Sequence, residues 1–330
     1  MQPLVELAEL LGMGVIDAGA LYANFPKSHP LYAGGDVGSN LKDADVVVVL
    51  EADVPWATTG SAPSSNARII GIGEDPLFSN YPVRGFHVDH NLAGSPRLTL
   101  RALVNAVKDI GVDSAAVQAR KDKLSSSSQL RREAALQRAE DGKNDTPINK
   151  AWFSRCLSDV LDENSIVLNE LGVDVSQLEF NHPGSFFGSP PSSGLGWALG
   201  ASLGSKLAAP EKTVICCVGD GSYIFGSGTA AHIVSQAQNL PVLNIVWNNG
   251  IWNAVQSATK VTYADGYAVR NNDFAVSTLS QSFQYELICQ AAGGYAERVD
   301  DPSQVPEAIQ RALHAVKVEK RQALLNIIGQ

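Results

Sequence analysis

The sequence contains few of the features that mark secreted, membrane or nucleic-acid-binding proteins. Its 330 residues include 4 cysteines, none of them in a C-x-x-C pair of the metal or redox type. The sequence has 34 Asp and Glu residues against 25 Lys and Arg residues, and its formal net charge is −9. It therefore lacks the excess of basic residues that is typical of proteins that bind nucleic acids or anionic membranes. There is no uncharged apolar run of about 18 or more residues, and no signal-peptide pattern at the start. These absences predict a cytoplasmic protein without nucleic acid or membrane as a partner.

Alternating apolar patterns predict two α/β domains. Residues 1–117 alternate helical and strand patterns, with buried strands predicted at 46–50 and 68–72. Residues 118–146 are dense in charge and serine and are predicted to be a linker with some exposed helix. Residues 147–330 alternate strands and helices again. Strands separated by helices predict two three-layer α/β/α domains with mostly parallel sheets.

Two polar sequences each follow an apolar run in the second domain. Asp220 comes directly after the run at 213–218, and Asn248 and Asn249 follow 28 and 29 positions later, after a second run. Because parallel strands end at the same sheet edge, these side chains are expected to lie close together. Carboxylate and amide oxygens suit Mg²⁺, which usually shares its six oxygen ligands with phosphates and water. The predicted protein ligands are Asp220, the Asn249 side chain and the backbone carbonyl of Ile251.

The residues around Asp220 are expected to hold a phosphate group. Gly219 and Gly221 flank the aspartate and permit close approach of the backbone. The N–H groups of Gly221 and Ser222, with the Ser222 hydroxyl, can face a phosphate at the turn after the strand. Either polar sequence alone is also typical of an ordinary turn. Their joint spacing, each directly after a strand, predicts a magnesium diphosphate site.

This pattern resembles the cofactor motif of thiamine diphosphate enzymes, in which Gly-Asp-Gly is followed at such a distance by Asn-Asn. Residues 193–197 resemble the loop before the pyrophosphate-binding strand of that family, and 285–302 resemble its closing helix and strand. Residues 29–34 and 44–50 resemble the central domain of acetolactate synthase and its relatives. The resemblance covers most of the chain except the linker. It implies a thiamine diphosphate-binding fold in the C-terminal half, with thiamine diphosphate and Mg²⁺ as cofactors.

The resemblance also implies roles for residues outside the two motifs. Leu195, 25 positions before the aspartate, occupies the place of the apolar wedge that folds the cofactor. The carbonyl of Ser193 would accept a hydrogen bond from the cofactor's amino group, and Gly194 lies between them. His182, ahead of this loop, is a candidate donor to a substrate carbonyl, with a structural role as the alternative. An FAD or ADP in the first domain, as in some relatives, has only the weak sequence at 71–74 in its favour.

Residues after the Asn-Asn pair bear on the reaction. Trp252 completes an Asn-Asn-x-x-Trp pattern that resembles benzaldehyde lyase and other acyloin-forming members, and it would lie at the cofactor; ordinary packing is the alternative. Val255 stands where pyruvate decarboxylase-type members carry a Glu. The resemblance therefore favours a carboligase or lyase acting on 2-keto acids or acyloins. A non-oxidative 2-keto acid decarboxylase and a 2-hydroxyacyl-CoA lyase are the alternatives.

One element of the family's catalytic machinery has no counterpart in the sequence. In the family, a Glu that faces the aminopyrimidine ring lies in a pyrimidine-binding domain, and no segment here resembles that domain. The first domain is also expected to lack its initial strand. The resemblance therefore implies a partner chain that supplies this Glu, in a heterotetramer with two copies of each chain. A non-catalytic nucleotide- or diphosphate-binding regulatory protein is the alternative of another class.

Overall fold

The computed structural model describes residues 1–19, 21–56, 62–190 and 194–330, which form two compact units. One unit comprises Met1–Ala20, Asn24–Glu133 and Asn181–Pro183, and the other comprises Leu21–Ala23, Ala134–Phe180 and Gly184–Gln330. The pairings between the strands named below all run parallel. Helices separate most of these strands along the chain. The predicted α/β class with mostly parallel sheets is confirmed.

The N-terminal unit is built from a strand pair and a three-stranded sheet. Its elements are α1 (Gln2–Leu11), β1 (Val15–Ile16), β2 (Tyr32–Gly34), α2 (Val37–Leu41), β3 (Val46–Leu50), β4 (Arg68–Gly73), β5 (His90–Ala93), α3 (Pro96–Ile110) and the start of α4 (Ser114–Asp141). β1 pairs with β2, and the larger sheet has the order β3-β4-β5. Val47 and Val49 pack into one apolar cluster, whereas Leu50 packs into another with Leu100 and Val104. Apolar side chains therefore pack on both faces of β3.

The segment predicted as a linker over 118–146 is helical for most of its length. α4 is continuous from Ser114 to Asp141, and the boundary between the two units falls within it. Its Ala, Lys, Arg, Gln and Leu residues have high helix propensity, which outweighs the high density of charge. Side chains four residues apart are also hydrogen-bonded, as between Gln118 and Asp122. Of the helices in the described ranges, none is both long and apolar enough to cross a membrane.

The C-terminal unit is built around a six-stranded parallel sheet. Its elements are α5 (Lys150–Ser158), β6 (Ser165–Glu170), β7 (Phe186–Gly188), α6 (Trp197–Ala208), β8 (Thr213–Gly219), α7 (Asp220–Phe225), α8 (Gly228–Ala237), β9 (Leu243–Asn248), α9 (Asn253–Thr262), α10 (Tyr267–Asn271), α11 (Tyr285–Ala291), β10 (Tyr295–Val299), α12 (Val305–Lys317) and β11 (Ala323–Ile328). Short 3-10 turns lie at Val175–Gln177 and Pro302–Gln304. The strands are arranged in the order β10-β11-β9-β8-β6-β7.

Side chains of β8 alternate between two apolar clusters on opposite faces of this sheet. Ile215 and Cys217 pack with residues of α5 and α12, whereas Cys216 and Val218 pack with residues of α6, α7 and α11. All six residues from Thr213 to Val218 are buried. Burial raises the pKa of the Cys216 thiol to about 12, so this cysteine is an inert core residue. With helices on both faces, only the strand ends are left for a ligand.

Candidate functional site

Asp220 lies at the C-terminal end of a central strand, where β8 turns directly into α7. Gly219, the last residue of β8, pairs with Trp247 of β9, so the two motif strands end side by side. The Asp220 side chain is 2% exposed. One of its carboxylate oxygens accepts the N–H of Gly221 at 2.8 Å, and the other accepts the N–H of Gly250 at 2.8 Å. The turn after Asn249 is therefore joined directly to Asp220.

The electrostatics of Asp220 favour a bound cation. Burial raises the pKa of its carboxyl group, while the hydrogen bonds from Gly221 and Gly250 and the positive charge of Lys150 oppose that rise. An ionised carboxylate in such a place is destabilised by the loss of water, and a metal ion would offset this cost. The charge of Asp220 is thus incompletely compensated by the protein alone.

The turn after β9 carries the other predicted metal ligands. The Asn249 side-chain oxygen accepts the N–H of Ile251 at 3.2 Å, and Gly250 has a left-handed backbone with φ 69°. Within the ranges that the structure describes, no three His, Cys, Asp or Glu side chains group as a metal site. A cation beside Asp220 would depend on amide, carbonyl and phosphate oxygens. That donor set is hard and fits Mg²⁺.

Asn248 has a different environment from its neighbour Asn249. It is fully buried, and its amide nitrogen donates to the side-chain oxygen of Asn326 at 3.1 Å. Asn326 in turn donates to the Glu286 carboxylate at 2.7 Å. This chain of polar side chains connects the end of β9 to β11 and α11. The first Asn of the pair therefore positions the turn, and the second Asn is the one available as a ligand.

Gly221 is covered by the indole ring of Trp252. A Cβ atom at Gly221 would lie 2.6 Å from two ring carbons of Trp252, so any side chain there would have to displace the ring. The Trp252 backbone N–H donates to the carbonyl of Ser277 at 2.8 Å, which holds the residue in place. By contrast, a Cβ at Gly219 would meet nothing within 4 Å. Open space for a ligand thus lies beside Gly219, and Gly221 is needed for packing against Trp252. Ser222 is buried one residue further along α7.

The entry to α6 places the predicted wedge residue. Leu195 is 42% exposed, immediately before the N-cap residue Gly196. Gly196 has φ 86°, and a Cβ there would lie 2.0 Å from the Cα of Gly226. Gly194 precedes Leu195 and is exposed, and Ser193 lies outside the described residues. The backbone that carries Leu195 is therefore held against the loop after α7.

Glu170, at the end of β6, holds the first turn of α6. Its carboxylate accepts the N–H of Gly196 at 2.6 Å and the N–H of Ala198 at 2.9 Å, and the side chain is 2% exposed. An N-cap glycine offers no side-chain acceptor for these groups. No local sequence pattern around Glu170 indicates this contact. The glycine at the N-cap position is the signal that an acceptor has to come from elsewhere in the chain.

We expect Glu170→Gln to destabilise the C-terminal unit by about 2 kcal/mol, because one backbone N–H would face an amide NH₂ group in a buried place. Urea unfolding followed by circular dichroism measures the change. Glu211→Gln, at an exposed position, is the matched control and should have almost no effect. Equal stability of the two variants would contradict the role of Glu170.

His182 does not belong to the same compact unit as these residues. It belongs to the segment Asn181–Pro183, which groups with the N-terminal unit, and its side chain is exposed. Asp220, Asn249, Leu195 and Trp252 all belong to the C-terminal unit. Only those residues are brought together within one unit, and the role of His182 at a substrate stays a prediction.

The same part of the chain matches a known family. Residues 171–327 match the family model described as "Thiamine pyrophosphate enzyme, C-terminal TPP binding domain". The matched range contains Leu195, Asp220 and Asn249. Residues 171–327 belong to this family of thiamine pyrophosphate enzymes. Thiamine pyrophosphate is another name for thiamine diphosphate, so the resemblance inferred from the motifs is confirmed.

Related proteins of this family carry out several reactions. Sulfoacetaldehyde acetyltransferase of Castellaniella defragrans is 25% identical, over 98% of this chain and 57% of its own length. The acetolactate synthase large subunit of Mycobacterium tuberculosis is 28% identical, over 54% of this chain and 31% of its own length. The solved thiamine diphosphate-dependent 4-hydroxybenzoylformate decarboxylase of Rhodococcus jostii RHA1 is 21% identical and has a TM-score of 0.73 over 98% of this chain and 57% of its own. The chain thus covers less than two thirds of each relative.

Proposed function

We propose that the protein binds thiamine diphosphate and Mg²⁺ at the edge of the sheet where β8 and β9 end. The observation that carries this proposal is the direct junction between Asp220 and the Asn249 turn, through the Gly250 N–H, inside the region matched by the family model. Asp220, the Asn249 side chain and the Ile251 carbonyl would hold the metal. When bound, thiamine diphosphate supplies a nucleophilic carbon and an electron sink for reactions next to a carbonyl.

The chain's own residues would bind and shape the cofactor. Leu195 is exposed at the entry to α6 and would support the folded shape of the cofactor. The open side of Gly219 and the N–H of Ser222 would face the diphosphate. Trp252, fixed over Gly221, would form one wall of the site and exclude water from it.

Further, we propose that the catalytic Glu comes from a pyrimidine-domain chain, in an assembly with two copies of each. Apolar side chains on the helices after both motif strands support a partner at this place: Ile224 and Phe225 on α7 are 48% and 67% exposed, and Val255 on α9 is 56% exposed. Large apolar groups that remain exposed beside a ligand site mark a protein interface. Asp220 and Leu195 would then form one half of the site.

We favour a carboligase or lyase that acts on 2-keto acids or acyloins. The acetyltransferase and acetolactate synthase among the relatives support this reaction class, and Val255 leaves no proton donor at its position for simple aldehyde release. The solved decarboxylase keeps 2-keto acid decarboxylation as the second candidate. Binding of the cofactor without any turnover would instead indicate a regulatory diphosphate-binding protein.

Mixing this chain with a pyrimidine-domain chain tests the enzyme proposal. We expect carbon dioxide and an acyloin from pyruvate only when both chains, thiamine diphosphate and Mg²⁺ are present, with Asp220→Asn as the inactive control. Release of an aldehyde without acyloin would select the decarboxylase. If the cofactor fails to bind in calorimetry even in the mixture, the proposed function is wrong.

A further inference from the structure

Lys150 is a half-buried cation near the sheet edge at which Asp220 lies. It is the first residue of α5, a position where the helix macrodipole disfavours positive charge. Its ammonium group donates to the carbonyl of Leu171 at 3.0 Å and lies 4.9 Å from the centre of the Trp247 ring. Leu171 has a left-handed backbone, with φ 66°, that few non-glycine residues adopt. The positive charge at the start of a helix and the left-handed backbone of Leu171 are both unfavourable, and such features are typical of functional sites.

Two contacts locate the ammonium group relative to Asp220. Leu171, which accepts the hydrogen bond, forms a bridge with Val218, and Trp247, whose ring lies below the cation, pairs with Gly219. Val218 and Gly219 are the two residues immediately before Asp220. Lys150 therefore lies beside the end of β8, without an ion pair to Asp220 among the described residues.

The lysine and the diphosphate turn lie on opposite faces of the sheet. The Trp247 ring packs into the cluster formed with α5 and α12, whereas α6 and α7 pack on the other face. Burial lowers the pKa of Lys150, while the charges of Asp174 and Asp220 favour its protonated form. Because Lys150 is half-buried, part of the path between its charge and the site runs through protein, and the charge can act on the site without touching a ligand.

We propose that Lys150 is a positioning residue that couples the binding of Mg²⁺ to the binding of the diphosphate. The inference rests on the proposed function. A metal ion alone is positive and is repelled by Lys150, whose charge already compensates Asp220 in part. A diphosphate carries more negative charge than one Mg²⁺ neutralises, so the metal–diphosphate pair is negative and is attracted. Lys150 therefore disfavours the metal on its own and favours it together with the cofactor.

This coupling predicts changes of opposite sign in one variant. Lys150→Met keeps an apolar side chain over Trp247 and removes the charge. At about pH 7.5, below the usual pKa of a lysine side chain, we expect Mn²⁺ alone to bind about threefold to tenfold more tightly and thiamine diphosphate with Mg²⁺ about threefold more weakly. Free Mn²⁺ is measured by electron paramagnetic resonance, and the cofactor by calorimetry. Lys150→Arg should restore both affinities.

Lys206→Met is the matched control. Lys206 is buried, and like Lys150 it donates to backbone carbonyls, at Pro210 and Lys212, and has a pKa lowered by burial. It lies in the last turn of α6, at the other end of the strands, so its loss should change neither affinity. The inference would be overturned if the two affinities of Lys150→Met shifted in the same direction, or if they equalled those of Lys206→Met. The proposed function would not be affected by either result. Absence of cofactor binding in the wild type and in Lys206→Met would overturn the proposed function, and the inference with it.

Discussion

Asp220→Asn should remove metal-dependent binding of thiamine diphosphate almost completely. The amide has nearly the same shape and can still accept one hydrogen bond from Gly221 or Gly250, so the turn should persist, although the other backbone N–H would then face the amide NH₂ group. It cannot supply the negative charge that the metal needs. Changes to outer partners of metal ligands weaken affinity by about 10-fold to 100-fold, so loss of a ligand itself should weaken it by at least about 100-fold. Calorimetry with thiamine diphosphate and Mg²⁺ measures the loss.

Without metal, the stability difference between the wild type and this variant should change with pH. Burial raises the pKa of Asp220 in the folded protein, so the folded state holds this proton more tightly than the unfolded state does. The contribution of protonated Asp220 to the free energy of unfolding is fully present below the pKa of Asp in the unfolded chain, about 4. This contribution is lost as the pH rises through the pKa of Asp220 in the folded protein. Thermal unfolding across this range should show the wild type losing stability relative to Asp220→Asn. A stability difference that does not change with pH would contradict the raised pKa of Asp220.

Leu195→Ala should separate cofactor binding from turnover. The side chain is 42% exposed, so its removal leaves no cavity in the core. Metal binding should be unchanged and cofactor affinity should fall only slightly. Activity of the assembled enzyme should fall about 100-fold, because a displacement of about 1 Å in the reacting groups has an effect of that size. Turnover of pyruvate with the partner chain measures the change.

Leu207→Ala provides the control for Leu195. Leu207 lies on the same helix α6, is 70% exposed, and is far along it from the site. Its replacement should leave both binding and turnover unchanged. Full activity of Leu195→Ala would show that another residue folds the cofactor, and equal losses in both variants would indicate a general effect on α6.

The strands of the site could be predicted from sequence because their signal is local. β8 and β9 are short apolar runs, and each ends at a polar sequence that breaks the pattern, so the predicted ends fall within one residue of Gly219 and Asn248. The short helix α7 was not predicted, because Asp220 to Phe225 is too brief for a helical period to show. The same limit applies to β7, which has only three residues.

The contacts that fix the site could not be predicted, because they join distant parts of the chain. Glu170 contacts the start of α6, which lies 26 positions later in the sequence. Trp252, in the turn after β9, covers Gly221. Lys150 lies beside Asp220 only once α5 has packed against the sheet. In each case the residue type is ordinary for its local segment. Its partner depends on the order of strands in the sheet, which no local pattern carries.

The close contact between Gly196 and Gly226 restricts how this site can change over time. A Cβ atom at Gly226 would lie 2.5 Å from the Cα of Gly196, so each glycine excludes any side chain on the other. A larger residue at either place would force the loop after α7 away from the start of α6, and no substitution of the other glycine can make room. Single substitutions at either of these two positions are therefore not tolerated. New substrate preferences would have to arise from side chains around this contact.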